Sequence, residues 1–203
     1  MYQELLNKEK TLAVIGLGYV GLPIALEFAK KIKVIGFDIN AERVEMMRNN
    51  IDPSQELEAS AFEGCDIIFT NDLEVLKTAN FFIVAVPTPV DEHNVPDLIP
   101  IQRASETIGK VIKKSDYVVF ESTVYPGCTE EDCVPIIEKL SGLKMVTDYK
   151  IGYSPERINP GDKEHTLSTI VKVVSGCCDE SLDTIANVYE LVVKAGVHKA
   201  SSI

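Results

Sequence analysis

The sequence predicts an α/β fold, a doubly wound and mostly parallel sheet with helices on both faces. Three observations carry this. Short apolar runs alternate along the chain with segments of helical periodicity, the pattern of repeated βαβ units. The first run leads through a glycine-rich turn into the first helical segment, over Thr11-Leu-Ala-Val-Ile-Gly-Leu-Gly-Tyr-Val-Gly-Leu-Pro-Ile-Ala-Leu26. The second run, Lys33-Val-Ile-Gly-Phe-Asp38, ends in a carboxylate.

Strands are expected at 11–15, 33–37, 67–70, 81–86, 117–120, 150–153 and 170–174. The runs are mostly apolar rather than alternating, with Lys33, Lys150 and Lys172 as the exceptions, as suits strands buried on both faces of a parallel sheet. Helical patterns fall between them at about 19–31, 40–49, 72–78, 99–114 and 129–141, with a last one beginning near Asp179. Residues Asn50 to Gly64, with Asp52-Pro53-Ser54 and four acids, read as a long exposed excursion. Val90 to Pro100 reads as a second loop. There is no repeat of fixed period and no low-complexity segment.

The turn Gly16-x-Gly18-x-x-Gly21 has the spacing of a dinucleotide-binding, Rossmann-type fold. In such a turn the first glycine permits the bend, the second lets backbone approach a pyrophosphate, and the third lets helix and strand pack closely. The free N–H groups and positive end of the following helix then face the phosphates. Asp38 lies 22 residues after Gly16, the place from which an acid reaches the adenosine ribose. These parts together point to NAD.

Composition sets the class. With 203 residues, 45% of them hydrophobic and 25% charged, the chain can bury one sizeable core. A net charge of −11 argues against a nucleic-acid or anionic-membrane partner. The stretch 11–26 after Lys8-Glu9-Lys10 resembles a secretion signal superficially. Yet three glycines and Pro23 interrupt it, acids flank it, and its sixteen residues fall short of a membrane span. A non-secreted, cytoplasmic protein is expected. Cys65, Cys128, Cys133, Cys177 and Cys178 are odd in number and form no CxxC pair, so reduced thiols are expected. His93, His165 and His198 are scattered, and no metal site is expected.

Open α/β sheets bind ligands beyond the carboxyl ends of their strands. Three such ends are polar and fixed by proline: Val84-Ala-Val-Pro-Thr-Pro89, Phe120-Glu-Ser-Thr-Val-Tyr-Pro-Gly127 and Tyr153-Ser-Pro-Glu-Arg-Ile-Asn-Pro-Gly161. Singly each is an ordinary turn. Their recurrence after a dinucleotide turn marks one cleft.

In these motifs the chain resembles the nucleotide-sugar dehydrogenases, which oxidise a UDP-hexose at C6 to a uronic acid. The resemblance spans essentially the whole chain: Gly16-Leu-Gly-Tyr-Val-Gly-Leu-Pro23, Phe37-Asp-Ile-Asn40 with Arg43, Val86-Pro-Thr-Pro89, Glu121-Ser-Thr-Val124 and Ser154-Pro-Glu-Arg157. The run Ser154 to Asp162, followed by Lys163 and His165-Thr-Leu167, is similar to the branch acting on UDP-N-acetylhexosamines (mannosamine, galactosamine or glucosamine). In the UDP-glucose branch a second acid stands where Pro160 stands here.

The resemblance implies two successive NAD-dependent oxidations, with a cysteine capturing the intermediate aldehyde and water hydrolysing the resulting thioester. It implies cofactor contacts from Gly16, Gly18, Tyr19, Val20 and Gly21, from Asp38 and Arg43, from Val86, Pro87, Thr88 and Pro89, and from Ser122 and Thr123. Thr123 and Glu156 are the implied catalytic pair, the hydroxyl ordering water and the carboxylate acting as general base. Glu156, Arg157 and Ile158 are the implied substrate contacts. A structural ion pair of Glu156 with Arg157 or Lys163 is the competing reading.

The family's nucleophilic cysteine stands in a Gly-Gly-x-Cys-x-Pro motif, and no cysteine here has that context. Residues 1–203 are therefore expected to be one cofactor domain without the family's central helix and UDP-binding domain, inactive alone, and part of a homodimer when complete. Cys128 follows Pro126-Gly127 near the expected cleft and is read as a small buried or helix-start cysteine. The alternative function is a stand-alone NAD-binding sensor or scaffold.

Overall fold

The computed structural model describes residues 1–156 and 169–203. Eight strands form one sheet: β1 (Leu12–Ile15), β2 (Val34–Phe37), β3 (Ile67–Thr70), β4 (Phe81–Val84), β5 (Tyr117–Phe120), β6 (Lys150–Tyr153), β7 (Lys172–Gly176) and β8 (Val197–Lys199). Their order is β3-β2-β1-β4-β5-β6-β7-β8. Neighbours run parallel except β6 and β7, which are antiparallel. The chain lays down β1, β2 and β3 in one direction, then returns to place β4 on the other side of β1. That reversal opens a crevice above the carboxyl ends of β1 and β4.

The helices are α1 (Tyr2–Leu6), α2 (Gly21–Ala29), α3 (Ala41–Arg48), α4 (Leu73–Leu76), α5 (Ile99–Val111), α6 (Val134–Ser141) and α7 (Asp179–Tyr189). They cover both faces, and the strands show why. Leu12 and Val14 of β1 join a cluster with Leu22, Leu26 and Phe28 of α2 and Ile185 and Tyr189 of α7. Ala13 and Ile15, pointing the other way, join Ile101 and Ile108 of α5 and Ile137 of α6. Successive side chains of one strand thus enter two cores, so every position must be apolar.

Four features depart from the expected elements. Helix α1 buries Leu5 against the first cluster, and β8 adds a short strand beyond β7; both are too brief to show periodicity. The excursion after Asn50 is not wholly exposed. Asp52 is buried and accepts hydrogen bonds from the N–H groups of Ser54, Glu56 and Leu57, and Phe62 packs on Phe69. The helix expected at 129–141 begins as a π-turn over Thr129–Cys133 and turns α-helical at Val134, next to Pro135.

Candidate functional site

The glycine turn is built by close approach. Gly16 has φ +88°, and a Cβ added there would meet Val86 Cγ1 at 2.9 Å. A Cβ on Gly21 would stand 1.9 Å from the Gly16 carbonyl oxygen, so the turn closes on its own backbone. A Cβ on Gly18 would meet nothing within 4 Å, because Gly18 faces the crevice. Helix α2 starts immediately after, with no side chain capping its first N–H groups. Backbone donors and open space thus coincide, as a pyrophosphate requires.

Asp38 sits just past β2 and is tied to this turn. Its Oδ2 accepts the Leu17 N–H at 3.0 Å, and its Oδ1 accepts the Asn40 N–H at 2.9 Å. From α3, Arg43 donates to the Leu17 carbonyl at 3.0 Å and to Ser54 Oγ at 3.4 Å. The Leu17 peptide is held from both sides. Asn40 caps α3 through its own side chain, which accepts from the N–H groups of Glu42 and Arg43. A cleft of about 720 Å³ opens here, with Asp38 and Arg43 at its polar side and the exposed Ile39 and Ile99 as apolar walls. Its shape and lining suit an adenosine.

A second hollow of about 220 Å³ adjoins it, the two sharing Gly18, Tyr19, Val86 and Pro87. It is lined further by Val20 at the start of α2 and by Thr88, Glu121, Ser122, Thr123 and Glu156, which follow β4, β5 and β6. Thr88 Oγ1 is buried there without a hydrogen-bond partner, an acceptor or donor waiting for a ligand group. Ser122 Oγ donates to the Val86 carbonyl at 2.6 Å, fastening the end of β5 to that of β4. Thr123, next along, is exposed to the hollow.

The two hollows bring together twelve of the sequence-predicted residues, Gly16, Gly18, Tyr19, Val20, Asp38, Arg43, Val86, Pro87, Thr88, Ser122, Thr123 and Glu156; Gly21 shapes the turn, and Pro89 lines neither hollow. The Pro89 carbonyl accepts the Asp97 N–H at 2.7 Å, closing the base of the loop that follows. Arg157 and Ile158 lie outside the described residues.

What the motifs did not show is a lysine partner of Glu156. Lys172, at the start of β7, places its Nζ 2.8 Å from Glu156 Oε2 and 2.9 Å from Glu121 Oε2. The other Glu121 oxygen accepts from the hydroxyl of Tyr189 in α7. Burial raises the Glu121 carboxyl above the usual carboxylate range despite the neighbouring ammonium. Burial pulls Lys172 down, but the two carboxylates outweigh it and raise it overall. A lysine inside the otherwise apolar run 170–174 was the available signal, because a buried charge requires a partner.

Cys128 is fully buried, and its thiol is pushed up to about 12, by burial first and then by Cys133 and Asp132. It is no nucleophile at neutral pH. Among the described residues no helix is long and apolar enough to cross a membrane.

Residues 10–193 match the family described as "UDP-glucose/GDP-mannose dehydrogenase family, NAD binding domain". The chain is 58% identical over 194 residues to "Protein CapL" of Staphylococcus aureus, covering 96% of this chain and 46% of that one. It is 55% identical over 197 residues to the UDP-N-acetyl-D-glucosamine 6-dehydrogenase of Pseudomonas aeruginosa, covering 97% and 47%. Among solved structures, the UDP-D-ManNAc dehydrogenase from Pyrococcus horikoshii superposes with TM-score 0.86 at 29% identity, over 95% of this chain and 47% of that one. The chain thus spans about half the length of these relatives.

Proposed function

Because the chain belongs to the UDP-glucose/GDP-mannose dehydrogenase family, as its NAD-binding domain, we propose that it is the cofactor half of a UDP-N-acetylhexosamine 6-dehydrogenase. The complete enzyme oxidises the sugar C6 alcohol to a carboxylate in two steps, for surface-polysaccharide precursors. It works in the cytoplasm as a homodimer, with no nucleic-acid or membrane partner. UDP-N-acetyl-D-glucosamine is the first substrate to test, since relatives named for it reach 55% and 48% identity, against 31% to 34% for those named for the mannosamine epimer.

The observation that carries this reading is the continuity of the two hollows, from Asp38 at one end to Thr123 and Glu156 at the other. When bound, NAD supplies the hydride acceptor. Asp38 accepts the adenosine ribose hydroxyls, the backbone at Gly18 and the start of α2 receive the pyrophosphate, and Thr88 meets the remainder of the cofactor. Thr123 orders a water and Glu156 takes its proton, while the remaining half of the enzyme supplies the thiol that carries the acyl group. The charged cluster behind Glu156 favours an enzyme over a stand-alone NAD-binding module, which has no use for it. Calorimetry of the chain with NAD, beside turnover assays of a form extended to the relatives' full length, tests both halves of the proposal. A chain that binds no NAD would refute it.

A further inference from the structure

One buried group at the cleft has been given no role of its own in the reading above. Lys172 is 4% exposed and does not line either hollow, yet it touches both carboxylates that line the smaller one. Glu121 is wholly enclosed and is fixed on its other side by Tyr189, whose ring lies 5.8 Å from the lysine Nζ. Two carboxylates and one ammonium away from water are a poor device for stability, since an apolar cluster of equal volume does as well or better. Their position gives the arrangement another purpose. Glu121 is held by β5 and α7, Lys172 by β7, and Glu156 is the member that follows β6 into the hollow beside Thr123.

We propose that Lys172 is a positioning residue for Glu156: anchored through Glu121 and Tyr189, it fixes the Glu156 carboxylate at the reacting end of the cleft and favours its ionised form. The inference rests on the proposed role of Glu156 in activating water. Among the described residues, the titratable groups around this carboxylate are Lys172 from β7, Glu121 from the end of β5, Tyr189 from α7 and, beside Lys172 and Glu121, Tyr153 from β6. Lys172 is the one cation of this group. Without it Glu156 loses a cation 2.8 Å away while still facing the Glu121 carboxylate, and both favour its protonated form.

The test is a carboxyl ¹³C NMR titration of the glutamate-labelled 203-residue chain, with the Glu156 signal assigned through Glu156→Gln. NAD binding is measured by calorimetry on the same samples. Lys172→Met should move the Glu156 midpoint upward by about one pH unit or more, Lys172→Arg should bring it back toward the parent value, and NAD affinity should stay within about threefold. If Lys172→Met does not fold, Tyr189→Phe gives a second reading. Loss of the Tyr189 donor draws the ammonium toward Glu121, and the Glu156 midpoint should rise by a smaller amount. An unmoved midpoint in whichever variant folds, with normal NAD binding, overturns the positioning role and leaves the proposed function standing. A loss of NAD affinity beyond tenfold in Lys172→Met would assign the lysine to cofactor binding and overturn it equally. Failure of the parent chain to bind NAD would instead remove the proposed function itself.

Discussion

Replacing Asp38 by alanine removes three interactions at once, and the structure separates their sizes. The first is the proposed bond to the adenosine ribose. A hydrogen bond to a charged acceptor is worth ~1.5–3 kcal/mol, or about 10- to 150-fold in affinity. The other two are internal: the Leu17 N–H at 3.0 Å and the Asn40 N–H at 2.9 Å both lose their acceptor. Asn40 is exposed and water replaces its partner at little cost. Leu17 is fully buried as a residue, and an N–H left unpaired costs ~1–3 kcal/mol, at the low end here because the carboxylate site is half open to solvent. At ~2–4 °C per kcal/mol for a chain of this size, Asp38→Ala should lower the melting temperature by a few degrees while weakening NAD at least tenfold. Asp38→Asn should fall between, since an amide can accept from Leu17 or Asn40 but turns an NH₂ toward the other. The parent chain should also prefer NAD to NADP. A 2′-phosphate meets the carboxylate, and the Arg43 guanidinium, the nearby cation, is already engaged by the Leu17 carbonyl and Ser54. Calorimetry with both cofactors and a thermal melt of each variant are sufficient. NAD binding by Asp38→Ala within twofold of the parent, or tighter binding of NADP by the parent, would refute the assignment of Asp38 to the ribose.

Gly18→Val should abolish NAD binding with an unchanged melt and far-ultraviolet circular dichroism, because its side chain enters only the space of the pyrophosphate. Gly21→Ala, whose Cβ would stand 1.9 Å from a carbonyl oxygen, should lose both binding and stability. The isolated chain should release no NADH from NAD with any UDP-N-acetylhexosamine. In an extended, active form, Glu156→Gln should slow thioester hydrolysis more than the first oxidation, so that an acyl-enzyme accumulates and is seen by mass spectrometry. Cys128 should resist alkylation in the folded chain between pH 7 and about 9. Its thiol is pushed up to about 12, so raising the pH through this range leaves it protonated, and labelling should appear only in denaturant.

The sheet was readable in the sequence because its strands are buried on both faces. Seven apolar runs fall within two residues of seven strands at each end, and the glycine turn places itself. Elements that bury little were invisible: α1 offers one buried leucine, and β8 has three residues of which two are exposed. The acids of the 52–63 excursion suggested solvent, yet Asp52 satisfies its burial by gathering three backbone N–H groups, a local geometry that composition does not reveal. The cleft residues were legible because each lies on a short motif at a strand end. The Glu121–Lys172 contact was not, since it joins positions 51 apart and no spacing rule connects them.

The reversal of β7 bears on how this site could change over time. A strand running with its neighbours would start at the far edge of the sheet; running against β6, β7 begins at the cleft and delivers Lys172 there with its first residue. Where the lysine lands is therefore a matter of alignment between two strands. Among the described residues that alignment is set by the pairs Gly152 with Gly176 and Tyr153 with Ser175, by the Cys177 N–H donating to the Ile151 carbonyl at 2.9 Å, and by Ser154 Oγ to the Val173 carbonyl at 2.9 Å and Ser175 Oγ to the Tyr153 carbonyl at 3.0 Å. Sliding by a single position would swing the lysine to the opposite face and present a valine in its stead. Any side chain at 152 would disturb this pairing, because its Cβ would meet the Ser175 carbonyl oxygen and Ile185 Cδ1 each at 2.4 Å. Substitutions at a glycine and two serines that line neither hollow should therefore displace Lys172 from Glu156 while leaving the glycine turn untouched.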